Sequence, residues 1–573
     1  MRQLSILCFS LVVSCAPRNP AAAPEPAVVQ PAPGTPSDGP YDLILEGGRL
    51  VDGTGAAWYW GDVAVRGDRI ARIAPRGVLR GAAAGRRIDL HGLVLAPGFI
   101  DIQSHSRENF LRADGRVISK ITQGITTEIM GEGSTNAPAN AKTSRNPEEV
   151  PADLDFRGPR GFDKWLRAME SHGAAPNFGS FVGASTIRMY GKGMASGEAS
   201  AAELDSMRMA VRNAMEDGAF GLASALIYPP GNYASTGELI EIAKAMAPYG
   251  GVYITHMRSE GNAWLEAIDE AIRIGKEGGV PVEIYHLKAG GTRNWSKTPL
   301  AIAKIDSARA AGLDVQADMY AYTAGATGLT ACLPPWASAD GKLFDNLADP
   351  DARARIRAEM ERVQSEWENL CELGGPENVL FLQFDRPENA RFAGKRLSEV
   401  AQLMGKDWKE ATMDLIISER GRVETVYFLM SEENVQTKMR QPWMKFGTDA
   451  GGNDPQHPDG LTHPRSYGNY PRVLGKYVRE ERVLTLEDAV RKMTSAVATR
   501  LSIGDRGVLR PGFFADFVAF DPLTVSDRAT FEQPHQLSTG IEYVFVNGVA
   551  VVSEGAVTGA KPGRIVRGPG WKN

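Results

Sequence analysis

From residue 41 onward the chain alternates short apolar runs with polar and glycine-rich breaks, and the period of that alternation changes twice. Between residues 41 and 101 it reads as hairpin strands: "YDLILEGGRLVDG", "GDVAVRGDRIARI" and "RRIDLHGLVLAPGFID" alternate apolar with polar positions and break at Gly and Asp. The far end repeats this in "GVLRPGFFADFVAFDP" (507–522) and "IEYVFVNGVAVVSEG" (541–555). The two flanks, 41–96 and 501–573, are predicted to fold together as one small β-sandwich. Between them, strands alternate with helical stretches such as "AAELDSMRMAVRNAMEDG" and "TPLAIAKIDSARAAG". The strand segments are 98–106, 124–133, 177–185, 219–226, 250–261, 279–291, 313–322 and 442–452. Several carry a short apolar core followed by a polar cluster, the mark of a buried parallel strand that opens into a functional loop. This many β/α units predicts an α/β fold, a (β/α)₈ barrel over 97–500, with chemistry collected at the C-terminal strand ends. The charged stretch "NLADPDARARIRAEMERVQSEWENL" places a helical insertion near 337–377, over the barrel mouth.

The first forty residues follow another pattern. Met1 and Arg2 precede an apolar run from Leu4 to Val13, too short to span a bilayer and the right length for a signal peptide. It ends in "LVVSCAP", which resembles a bacterial lipoprotein signal with Cys15 as the acylated residue. Residues 16–40 form an Ala/Pro-rich tether. The chain is therefore expected to be exported, periplasmic or in the cell envelope, and to meet a membrane only through a lipid on Cys15. Beyond Cys8 and Cys15 only Cys332 and Cys371 remain, free to pair or to stay as buried thiols. Of 573 residues 23% are charged, with a net charge of −5, so no concentrated basic face marks a nucleic-acid partner.

Eight histidines can be weighed singly. His256 ends "GVYIT" and His286 ends "VEIY", each where a barrel strand should stop. Successive strand ends bring two imidazoles to one mouth, a start on a zinc site. Glu132, between two glycines in "MGEG", is the candidate third ligand. Asp449 in "FGTDAGG" follows the last strand, where a carboxylate would take a proton from water and return it to a leaving amine. On the first strand, "GFIDIQSHS" puts Gln103 and His105 where two histidines one residue apart would seat a metal.

Taken together, "LAPGFIDIQSHS", "GITTEIMGEG", "THMRSEG", "YHLKAGG", "FGTDAGG" and "HPRSYGNYPRVLGKYVRE" resemble the D-aminoacylase branch of the amidohydrolase superfamily, the N-acyl-D-amino-acid deacylases. The resemblance implies zinc-dependent hydrolysis of an N-acyl-D-amino acid, a small-molecule substrate, to a carboxylate and a free D-amino acid. It implies that His256 and His286 hold a tight zinc, with Glu132 where the family's best-known members use a cysteine. His105, beside Gln103 in place of the family's first histidine, is left to a second, weaker position, so one zinc is expected. Lys288, Tyr320 and Arg465 match positions that hold the substrate carboxylate, and His463 stands near them. Arg258 and Glu260 belong to a matching motif and could pair with each other. Two rivals stay open: a cyclic-amide or acyl-dipeptide hydrolase on the same barrel, and a lipid-anchored binding protein without catalysis.

Overall fold

The computed structural model describes residues 40–143, 151, 153–363, 366–458 and 460–572; the leader, Cys15 and the tether up to residue 39 lie outside the described residues. Eight parallel strands form the centre: Phe99–Asp101, Ile125–Met130, Asn177–Ser180 continued by Val182–Gly183, Gly221–Ala225, Val252–His256, Val282–Ile284, Val315–Met319 and Met444–Phe446. Neighbours pair in that order. The ring closes just beyond the strand ends, where Ser104 and Ala450 form a parallel bridge and the Asp449 N–H donates to the Gln103 carbonyl at 2.8 Å. Nearly every strand residue is buried, as expected where helices cover the outside and side chains fill the inside. The helix Trp264–Gly278 shows how the cover is made: Trp264, Ala267, Ile268, Ala271, Ile274 and Gly275 recur at helical spacing and are buried against the barrel. Inside, Ile100, Ile129, Phe220, Ala223, Ile254 and Tyr285 share one apolar cluster with Val497 and Leu501 from the chain's later part. Glu283 also lies within the strands, its charge met by Lys445 at 2.9 Å and Arg500 at 2.8 Å.

The two flanks meet through hydrogen bonds. Val94–Pro97 pairs antiparallel with Phe517–Phe520, so strands from both ends build one nine-stranded sheet. The sandwich expected from the sequence is, in its hydrogen bonding, a single forked sheet. The strand Tyr41–Leu50 pairs with Ala84–Asp89 along its first half and with Val94–Pro97 at its end. Its register shifts between Leu45 and Gly48, where Gly47 has a φ of 67° that an extended residue with a side chain would resist. Leu43, Leu45, Val63, Leu95, Phe517 and Phe545 pack into one core from both flanks.

Between the seventh and eighth barrel strands, residues 324–428 form a unit of their own. The helical insertion placed near 337–377 is only part of it. Strands Ala324–Gly328, Glu424–Phe428 and Val379–Phe381 make an antiparallel sheet, and helices including Pro350–Met360 and Trp408–Glu419 pack on it around Leu329, Ile356, Val379, Met413 and Tyr427. Cys332 and Cys371 are joined in a disulfide inside this unit. Among the described residues no helix is long and apolar enough to cross a membrane.

Candidate metal centre

The mouth of the barrel opens into a cavity of about 830 Å³, lined by strand-end residues and by the insertion. His256 reaches it by simple alternation, since Val252 and Ile254 on the same strand face the interior cluster. His286 does not. On its strand Tyr285 lies in the interior cluster while Val282 and Ile284 pack outward, so strict alternation would turn residue 286 away from the mouth. A φ of 34° at His286 reverses that direction, and the Asp318 carboxylate accepts its backbone N–H at 2.8 Å. Asp449 also has a positive φ, 52°. Two left-handed non-glycine residues, following the sixth and eighth barrel strands, are strain held where the site needs it.

Three ligand-type atoms converge here. The Glu132 Oε1 lies 3.1 Å from His256 Nδ1 and 3.5 Å from His286 Nε2, and the set falls within 4.8 Å overall. The far sides of both rings face one carboxylate: Glu260 is 2.9 Å from His286 Nδ1 and 3.5 Å from His256 Nε2. An imidazole that binds a metal through one nitrogen is commonly oriented by a carboxylate on the other. Two nitrogens, one carboxylate oxygen and a shared carboxylate behind them are a donor set that suits zinc.

A second group shares Glu132. His105 Nε2 lies 3.0 Å from Asp449 Oδ1 and 3.5 Å from Glu132 Oε2, and the three side chains form another cluster within 4.8 Å. Gln103 lies beside this group as expected, but it offers N–H groups to it, while its carbonyl oxygen has no hydrogen-bond partner. Its amide nitrogen donates to both carboxylates, Glu132 Oε2 and, at 3.1 Å, Asp449 Oδ1.

Asp449 is buried, which opposes its ionisation. The Arg465 guanidinium 2.7 Å from Oδ2 and the His105 hydrogen bond outweigh burial and leave the carboxyl at about 2, ionised at neutral pH. Arg465 Nε and the Tyr320 hydroxyl are buried beside the cavity with no hydrogen-bond partner, and the guanidinium stacks 4.6 Å from the Tyr320 ring. Burial pushes the Tyr320 hydroxyl up to about 12, so it keeps its proton. Two unpaired donors at a cavity wall are a seat for an acceptor such as a carboxylate.

Two expected substrate contacts, Lys288 and His463, line the cavity and also have partners within the protein. The Lys288 ammonium is 2.7 Å from both Glu260 oxygens and 2.6 Å from His286 Nδ1. His463 has both ring nitrogens engaged by backbone: Nδ1 accepts from the Arg465 N–H at 3.0 Å and Nε2 meets the Ala324 carbonyl at 2.9 Å. It shapes the turn that carries Arg465. Arg258 and Glu260 do not pair; Arg258 binds Glu270 at 2.9 Å. Tyr228, edge-on to His256 at 5.4 Å, and Glu368 of the insertion also line the cavity and were not read from the sequence.

The amidohydrolase family model matches residues 86–552. The chain is 36% identical over 534 residues to a D-aminoacylase of Alcaligenes xylosoxydans xylosoxydans, covering 92% of this chain and 98% of that protein. The chain belongs to the amidohydrolase family, in its D-aminoacylase branch. Among solved structures, this amidohydrolase resembles a D-aminoacylase whose binuclear metal centre shows one-metal activation and second-metal attenuation (TM-score 0.76, 34% identity, 92% of this chain and all of that one). It also resembles the N-acyl-D-glutamate deacylase of Bordetella bronchiseptica, solved with zinc and a phosphonate mimic of the tetrahedral intermediate (TM-score 0.75, 30% identity, 92% and 100% coverage).

Proposed function

We propose that this amidohydrolase hydrolyses N-acyl-D-amino acids to a carboxylate and a free D-amino acid, using one zinc ion held by Glu132, His256 and His286. The observation that carries the reading is the meeting of those three side chains beside Asp449 and the unpaired donors of Arg465 and Tyr320. When bound, the cation supplies Lewis acidity, polarising the scissile carbonyl and making water acidic at neutral pH. The rest belongs to the chain. Arg465 and Tyr320 take the substrate α-carboxylate and fix which end of the molecule faces the centre. Asp449, ionised before substrate arrives, accepts the proton of the attacking water and returns it to the departing nitrogen. Glu260 orients the His286 imidazole by a hydrogen bond and faces that of His256, and Lys288 neutralises Glu260. The α-carboxylate seat favours linear N-acyl amino acids over cyclic amides.

The test is a panel of N-acetyl-D- and N-acetyl-L-amino acids assayed with chelated and zinc-reconstituted protein. Zinc-dependent release of free D-amino acids is expected; equal turnover of both enantiomers, or turnover that survives chelation, contradicts the reading.

We further infer that the enzyme works in the cell envelope, anchored at Cys15. The leader and tether support this, as does a disulfide in the folded part, a bond that persists in oxidising compartments. Cys15→Ser should move the protein from the membrane fraction to the soluble one; an unchanged distribution counts against the anchor.

A further inference from the structure

The placement of Gln103 goes beyond the one-zinc reading while resting on it. The residue is 1% exposed, and its amide nitrogen lies between the two carboxylates, Glu132 and Asp449, that with His105 make the second cluster at the mouth. Two buried carboxylates so close repel strongly in a medium of low dielectric and need something positive between them. A cation would supply it by charge. The two N–H groups of a carboxamide supply it by charge-assisted hydrogen bonds.

The orientation of that amide follows from its surroundings. The Gln103 Oε1 is buried with no hydrogen-bond partner, so the donors alone set which way the group points. Turning it over would press a carbonyl oxygen against both carboxylates and forfeit both hydrogen bonds. A second ion entering between His105, Glu132 and Asp449 would therefore have to expel the amide or flip it. A neutral amide oxygen beside an imidazole is a weak inducement for zinc.

We propose that the Gln103 carboxamide is the built-in occupant of the second cation position. Its N–H groups stand in for a second metal, so the centre works with a single ion and is protected from attenuation by excess metal. Gln103 is on this account a positioning residue: it holds Glu132 toward the two imidazoles and Asp449 toward the reacting water without touching substrate.

The test compares metal-stripped wild type, Gln103→His and Gln103→Glu, each reloaded with excess zinc and desalted. Zinc per chain is read by mass spectrometry, the second binding step by calorimetry, and turnover across a zinc titration. Expected are one ion in wild type and two in Gln103→His, with the second step about 10- to 100-fold weaker in wild type. Excess zinc should depress turnover of Gln103→His and leave wild type unaffected. Gln103→Glu, equal in size but an acceptor only, should also take a second ion, which keeps the test decisive if Gln103→His does not fold. Two retained ions in wild type, or no gain in the folded variants, overturns the proposal. Glu132→Ala in the same assay separates it from the reading beneath it. Loss of tightly held zinc there, beside a two-ion wild type, overturns the Gln103 role and leaves the triad standing. Full retention of zinc there overturns both.

Discussion

Asp449 is the residue on which turnover depends most. It is ionised because Arg465 and His105 overcome its burial, and Asn, of the same size, cannot accept a proton. Asp449→Asn should leave zinc content intact and lower kcat by about 10²- to 10⁴-fold, measured as turnover beside metal content on the same sample. Arg465→Met should act on substrate capture, cutting kcat/KM by about 10- to 100-fold with zinc still bound; an unchanged KM would remove Arg465 from the carboxylate seat. At this scale the sequence was readable where position decides chemistry. Glu132, His256, His286 and Asp449 all stand at ends of apolar runs, and all reach one mouth. What could not be read is direction. The positive φ at His286 turns a side chain that strand alternation would place elsewhere, and no glycine at that position announces it. Arg258 and Glu260 invited pairing because they are close in sequence. The following helix offers Glu270 to Arg258 instead, and the next strand end offers His286 and Lys288 to Glu260.

The insertion is the element whose behaviour the site should feel most. Glu368 is buried against the loop after the fifth barrel strand, taking hydrogen bonds from the Glu260 N–H and, at 3.2 Å, the Ser259 hydroxyl. Burial, then the nearby Glu260 charge, push its carboxyl up to about 7. The folded state thus holds this proton more tightly than the unfolded chain does. The resulting stability is fully present below the ordinary pKa near 4.5 and is lost as pH rises through 7, a change on the order of 3 kcal/mol. Relative to Glu368→Gln, wild type should therefore lose melting temperature as pH is raised from 5 to 8; an equal pH dependence in both proteins would contradict the role. The disulfide staples the same unit. Closing a separation of 39 residues, it should contribute about 4 kcal/mol, so Cys332→Ala/Cys371→Ala should lower the melting temperature while zinc content holds. Of this unit the charged helices were legible in the pattern. The strand Ala324–Gly328, made of Ala, Gly and Thr, carries no apolar alternation, and its one partner strand, Glu424–Phe428, lies a hundred residues onward, so the sheet was not.

For the whole molecule, the eight barrel strands were legible because a parallel strand buried on both faces leaves a short apolar run with a polar end. The joining of the chain's two ends was also legible, from their matching hairpin patterns. The fork in the resulting sheet was not, since it depends on a shift at Gly47 and on one strand serving two partners. This architecture brings together at one rim side chains drawn from strands more than three hundred residues apart, and the whole account turns on the rim holding a metal. Its most direct test is a crystal structure of zinc-reconstituted protein with anomalous diffraction recorded on both sides of the zinc edge. The account predicts one strong peak per chain, within bonding distance of Glu132, His256 Nδ1 and His286 Nε2. A principal peak between His105 and Asp449 with the Glu132–His256–His286 group empty, or none at the mouth, would contradict it.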